Sequence, residues 1–207
     1  MLTSSEPTMT TLESNLHEDL ITAREPLPGD LAIWIFIFAE LLVFGILFIA
    51  YAVARTQHVD LFTHEQASLP RLWGLLDTVI LITSSYAVAL ATHAIRQGRK
   101  QCCTTWLVIA EILGTTFVVL KIMEFNHDAQ TGISLSRNLF DMFYLSLTGF
   151  HFLHVLMGLI ILSTVTIKTL QGAYTSEHYA GIETGAAFWH MVDLVWIILF
   201  VLIYVLH

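Results

Sequence analysis

The chain reads as an all-α, polytopic membrane protein, a bundle of five transmembrane helices. Three observations predict this. Hydrophobic residues make up 56% of its 207 residues and charged residues only 13%, against about 25% charged in a soluble domain. The mean hydropathy is +0.70. The apolar residues also fall into five continuous runs, each reaching the ~20 residues that cross a hydrocarbon core of ~30 Å. None shows the in–out alternation of a barrel strand. This composition excludes a disordered chain, a disulfide-rich secreted miniprotein and a basic nucleic-acid binder. The net charge of −8 points the same way, so no nucleic-acid partner is expected.

Residues 1–30 are a polar, acidic N-terminal tail with Glu6, Glu13, Glu18, Asp19 and Glu25 and no apolar signal-peptide core, so the first span must direct insertion. Pro26, Pro28, Gly29 and Asp30 break the chain before the membrane domain, residues 31–207, and Asp30 is placed to cap the first helix. The spans are predicted at 31–54, 72–95, 103–123, 139–167 and 186–206. The first and second are joined by a polar link, Arg55 to Arg71, and the second and third by the tight turn Arg96–Lys100. Cys102 and Cys103 open the third; adjacent cysteines rarely meet disulfide geometry, and these read as small apolar residues. The fourth span is longer than the membrane needs and is expected to tilt. No internal repeat is visible, which weakens a transporter built on repeated halves.

Arg24, Arg96, Arg99, Lys100 and Lys168 lie on the N-terminal side, and Arg55, Arg71, Lys121 and Arg137 on the other. The dense Arg96–Lys100 turn decides the positive-inside reading: N-terminus cytoplasmic, C-terminus periplasmic.

Ionisable residues within a span cost a few kcal/mol unless partnered. Glu40 lies deep in the first span, and Asp77 and His93 lie in the second. Glu111 lies in the third, with Lys121 and Glu124 near its end. Three readings stand for Glu40: a proton-relay carboxylate, a buried neutral acid, or a hydrogen-bond partner of a histidine on another helix. His151 and His154 are spaced i, i+3 in the fourth span, and His190 and Asp193 repeat that spacing in the fifth. Such pairs could ligate a metal, or a haem through two histidines. They could equally form an interhelical network in which a carboxylate or a backbone carbonyl orients each imidazole. Gly149, Gly158, Gly181 and Gly185 let backbones approach, and Trp189, Trp196 and Tyr204 read as packing or interface anchors. No phosphate loop, nucleophile elbow or catalytic triad order is present.

Four segments carry a resemblance: Phe38-Ala-Glu-Leu-Leu-Val-Phe44, Met123-Glu-Phe125, Thr148-Gly-Phe-His-Phe-Leu-His-Val155 and Phe188-Trp-His-Met-Val-Asp-Leu-Val-Trp196. In this order they resemble subunit III of the haem–copper oxidases, over about residues 28–207 and in its five-helix form. Within that family the chain looks most like the NorE-type, subunit III-like proteins of denitrifying bacteria, with subunit III of bacterial quinol oxidases the near relative. The resemblance implies a non-catalytic accessory subunit of the bacterial inner membrane, with no cofactor of its own and with haem and copper held only by its partner. That partner would be the catalytic subunit I of a haem–copper oxidase or of nitric oxide reductase. Phospholipid would be bound, and proton uptake and enzyme lifetime supported. Glu40 matches the family glutamate that reacts with carbodiimides. His151, His154, Trp189, His190, Asp193 and Trp196 match bundle-building motif residues, and Glu124 matches the acidic residue ending the third span. Lys121, one turn before Glu124, departs from the pattern and makes a local salt bridge as plausible there as a proton antenna.

Overall fold

The computed structural model describes residues 31–206, so the acidic tail, the Asp30 cap and His207 lie outside the described residues. Five helices are long and apolar enough to cross a membrane: α1 (Leu31–Gln57), α3 (Arg71–Arg96), α4 (Lys100–Gln130), α5 (Leu139–Leu170) and α6 (Ala180–Phe200), the last continued by a π-helical turn, Val201–Val205. The link between the first two spans is not irregular. It holds the ten-residue helix α2 (Val59–Ser68), which forms because Phe62 and Gln66, one turn apart, are both buried.

The helices overrun the apolar runs that announced them. α4 continues past Met123 to Gln130, and α6 starts at Ala180 rather than Ala186. Polar residues extend these ends because their partners sit on neighbouring helices. Three ends are closed by the same device. At the end of α3, Arg99 N–H bonds to Ala94 C=O (3.0 Å) and Gly98 N–H to Ile95 C=O (2.9 Å). This reversal needs a left-handed residue, and Gly98 supplies it at φ 72°. Gly132 and Gly172 close α4 and α5 the same way.

α3 and α4 form the antiparallel pair at the centre. On α4 the buried side chains are Cys103, Leu107, Ala110, Gly114, Phe117, Lys121, Glu124 and Asp128, alternating steps of four and three. On α3, Gly74, Asp77, Leu81, Ser84, Val88, Ala91 and Ile95 do likewise. This is the heptad seam of two helices crossing at a shallow angle. Polar residues hold the last three places of the α4 seam. α1 is peripheral: it buries only Ile37, Phe44 and Tyr51, one residue per two turns, and turns Ile35, Phe38, Leu42, Ile46 and Ile49 outward.

Trp189 locks α6 to two helices at once. A Cβ on Gly114 of α4, or on Gly158 of α5, would stand 2.8 Å from its indole, so both positions are notches cut for the ring. Gly149 faces open space by contrast, and Gly185 leaves room for Val165. At one end of the bundle, Arg96 pairs with Glu183 (2.6 Å), tying α3 to α6. At the other, Asn138 caps α5 by accepting from the Asp141 N–H (2.7 Å). There Arg137 bridges Asp141 and Glu65 of α2, and the hydrogen bond it donates to Asp141 holds the guanidinium above its ordinary pKa.

Candidate functional site

The polar seam of α4 places three ionisable groups at the bundle centre. Lys121 Nζ lies 2.6 Å from Glu124 Oε2, one turn along the same helix, and 2.8 Å from Asp77 Oδ2 of α3. Tyr144 of α5 contacts both Glu124 Oε1 and Asp128 Oδ2 at 2.9 Å. Tyr204, in the terminal turn, donates to Glu124 Oε1 (2.9 Å). Each of these side chains is essentially closed to solvent. A charge this deep persists only when partnered, and the partners here come from four segments.

Above the ammonium lies Trp196, its ring centroid 4.5 Å from Lys121 Nζ, a cation–π contact in a desolvated setting. The indole N–H donates to Thr78 Oγ1 (3.0 Å). Against the same indole rests His151, at 5.1 Å between centroids, with Phe117 completing the group. His151 is fully buried, and neither ring nitrogen has a hydrogen-bond partner among the described residues. The reading that a carboxylate or carbonyl orients every imidazole therefore does not hold for His151, which aromatic rings position instead.

It does hold for His154. Its Nδ1 lies 2.8 Å from the Phe150 carbonyl and its Nε2 3.0 Å from Glu40 Oε2. A carbonyl only accepts, so Nδ1 carries a hydrogen. One further proton then lies between Nε2 and Glu40, on the acid or on the imidazole, and the pair is electrically neutral either way. Of the three readings for Glu40, the geometry supplies the histidine partner. The i, i+3 spacing of His151 and His154 does not bring them to a common ligand: one is packed among rings and the other is engaged at both nitrogens. Nor does His190 pair with Asp193. Its Nδ1 lies 2.5 Å from Ser85 Oγ of α3. Asp193 makes no hydrogen bond to a histidine among the described residues, and its Oδ1 is buried without a partner there. Among the described residues no three His, Cys, Asp or Glu side chains converge as a metal site.

His190 also lines a groove between α1, α3 and α6, with a volume of about 660 Å³. Trp34, Ile37, Leu41, Met191 and Leu194 form its apolar walls, and His93, Arg96 and Glu183 stand towards the end where α3 finishes.

Sequence reasoning singled out Glu40, Glu124, His151, His154, Trp189, His190, Asp193 and Trp196. The structure gathers Glu124, Trp196 and His151 around Lys121, sets Glu40 on His154, and leaves His190 and Asp193 on α6 apart from both groups. It adds Asp128, Tyr144, Ser85 and Gln66, and it gives Tyr204, read as an anchor, a hydrogen bond to Glu124. Asp128 was legible, since it falls four residues after Glu124 and seven after Lys121 on one helix face. The tyrosines carried no such signal.

The profile for the family described as cytochrome c oxidase subunit III matches residues 27–207. The cytochrome c oxidase subunit 3 of Thermostichus vulcanus is 32% identical over 177 residues, 85% of this chain and 86% of that protein. The Synechocystis subunit 3 is 33% identical over 83% of this chain and 73% of its own. The lamprey Petromyzon marinus protein is 35% identical over 63% of this chain, which spans about half that relative's length (49%). The match begins just before α1 and runs through every helix that carries the buried polar groups, so the chain belongs to the cytochrome c oxidase subunit III family.

Proposed function

We propose that the chain is a non-catalytic accessory subunit of a haem–copper respiratory complex, seated against the catalytic subunit in a bacterial inner membrane. The observation that carries this reading is the division of the surface. Most ionisable side chains in the spans turn inward and are spent on one another, while α1 and the outer faces of α3 to α6 present mainly apolar surface, on which exposed threonines such as Thr83, Thr116 and Thr164 bond back to their own helix. A chain of this kind offers packing area to a partner. Its part is to hold the assembled enzyme, prolong its working life and support proton uptake. The haem and copper belong to the partner. The basic Arg96–Lys100 turn faces the cytoplasm and the chain ends on the periplasmic side.

A phospholipid occupies the groove between α1, α3 and α6, with acyl chains along Ile37, Leu41 and Leu194 and its headgroup level with Arg96 and Glu183. The catalytic partner is the oxygen-reducing subunit I. The likeness of the motifs to NorE-type proteins makes the nitric oxide reductase subunit the second candidate.

Affinity purification of the tagged chain from its native membranes in mild detergent tests the reading. A haem–copper catalytic subunit is expected in stoichiometric yield, with retained phospholipid. Its absence, with the chain monomeric and folded, contradicts the proposal. Recovery of nitric oxide reductase in place of an oxidase decides between the two partners.

A further inference from the structure

The hydrogen count around Tyr144 does not close with every carboxyl ionised. Three oxygen–oxygen contacts of 2.9 Å meet there: Tyr144 to Glu124 Oε1, Tyr144 to Asp128 Oδ2, and Tyr204 to Glu124 Oε1. Two phenols bring two hydrogens. One phenolic hydrogen shared between two carboxylates would bind each weakly and leave two anions side by side, and a third hydrogen on one carboxyl closes all three contacts. Glu124 already receives the ammonium of Lys121 on its other oxygen. Asp128 makes no cation contact within ion-pair distance among the described residues, so the extra hydrogen belongs on its carboxyl. Asp128 then donates to Tyr144, and both phenols donate to Glu124.

We propose that Asp128, Tyr144 and Glu124 form a proton-holding relay, loaded from the aqueous end of α4. Asp128 lies two residues from the end of that helix, beside exposed His127. A shift inward breaks the Asp128 O–H bond and forms an O–H bond at Tyr144, while the original phenolic proton passes to Glu124 Oε1. No heavy atom moves far, and the total charge is unchanged. The groups facing the relay are Asp77 of α3, Lys121 of α4, and Tyr204 of the terminal turn; His151 of α5 adjoins Lys121 across Trp196. A second feature points inward as well. Asp77 Oδ1, on a fully buried side chain, has no hydrogen-bond partner among the described residues and is an open acceptor at the inner end. The inference concerns this chain alone and holds whichever enzyme binds it.

Infrared spectroscopy of the full chain in lipid tests it, because a protonated acid has a carbonyl stretch that a carboxylate lacks. The expected result is one protonated-acid band that moves in heavy water, disappears in Asp128→Asn and shifts in Tyr144→Phe. It should persist in Glu40→Gln, which separates it from the Glu40–His154 proton. If Asp128→Asn retains every protonated-acid band, the assignment is overturned. If that variant fails to fold by circular dichroism, Tyr144→Phe decides, and an unmoved band overturns it. A band that refuses exchange in heavy water overturns loading from the aqueous face.

Discussion

Lys121 shows what a single side chain does in this bundle. It neutralises two carboxylates from two helices and lies on Trp196, so its removal leaves anions facing each other in a low-dielectric core. Lys121→Met is expected to lower stability by about 3–5 kcal/mol. Adding Asp77→Leu should recover part of that loss, and a double-mutant cycle by thermal unfolding in detergent measures the coupling. Glu40 offers a finer contrast. Glu40→Gln can still donate to His154 Nε2 and should be nearly neutral, whereas Glu40→Leu strands the imidazole and should lose on the order of 1 kcal/mol. Gly158→Ala drives a methyl group into Trp189, and about 1–3 kcal/mol of destabilisation is expected. Half-buried Gly149→Ala, with nothing near its Cβ, is the matched control.

Among the elements, the terminal turn depends on a residue far away in sequence. Gln66 Nε2 reaches the carbonyls of Leu202 (3.1 Å) and Ile203 (3.0 Å) and the Tyr51 hydroxyl (3.0 Å), capping a helix end whose last C=O groups have no intrahelical donor. Gln66→Leu should free those carbonyls, speed amide exchange in residues 201–206 and lower stability by about 1–3 kcal/mol. Exchange that stays confined to loops would count against this role. Gln66 also marks how far the elements could be read in the sequence. The five membrane helices were legible because hydropathy alone requires them. α2 was not, since ten largely polar residues become helical only when Phe62 and Gln66 find a surface to bury against. The extension of α4 to Gln130 was hidden for a related reason: Glu124 and Asp128 lower the hydropathy there, yet they are buried by tyrosines distant in sequence. Among the candidate residues, the Lys121–Glu124 pair was legible from its spacing on one helix, while the second carboxylate at Lys121, Asp77, and the phenol of Tyr144 were not. For Glu40 a histidine on another helix was one reading of three, and only the structure shows that it is His154; Asp193 was expected beside a histidine that turned instead to Ser85.

At the scale of the whole molecule, the inward polar groups and the outward apolar faces describe a component that completes itself inside and needs company outside. The helix-end pairs, Arg96–Glu183 at one face and Arg137–Glu65 at the other, stand at the two ends of the bundle and leave the lateral surface to lipid and partner. The central claim is that histidines and carboxylates within the spans hold the bundle together and do no electron chemistry. The most direct measurement is the visible absorption spectrum of the folded chain purified without its partner, compared with that of the co-purified complex. The account predicts that the haem bands follow the partner and are absent from the chain alone. A stoichiometric Soret band in the isolated chain, lost in His154→Ala, would contradict it.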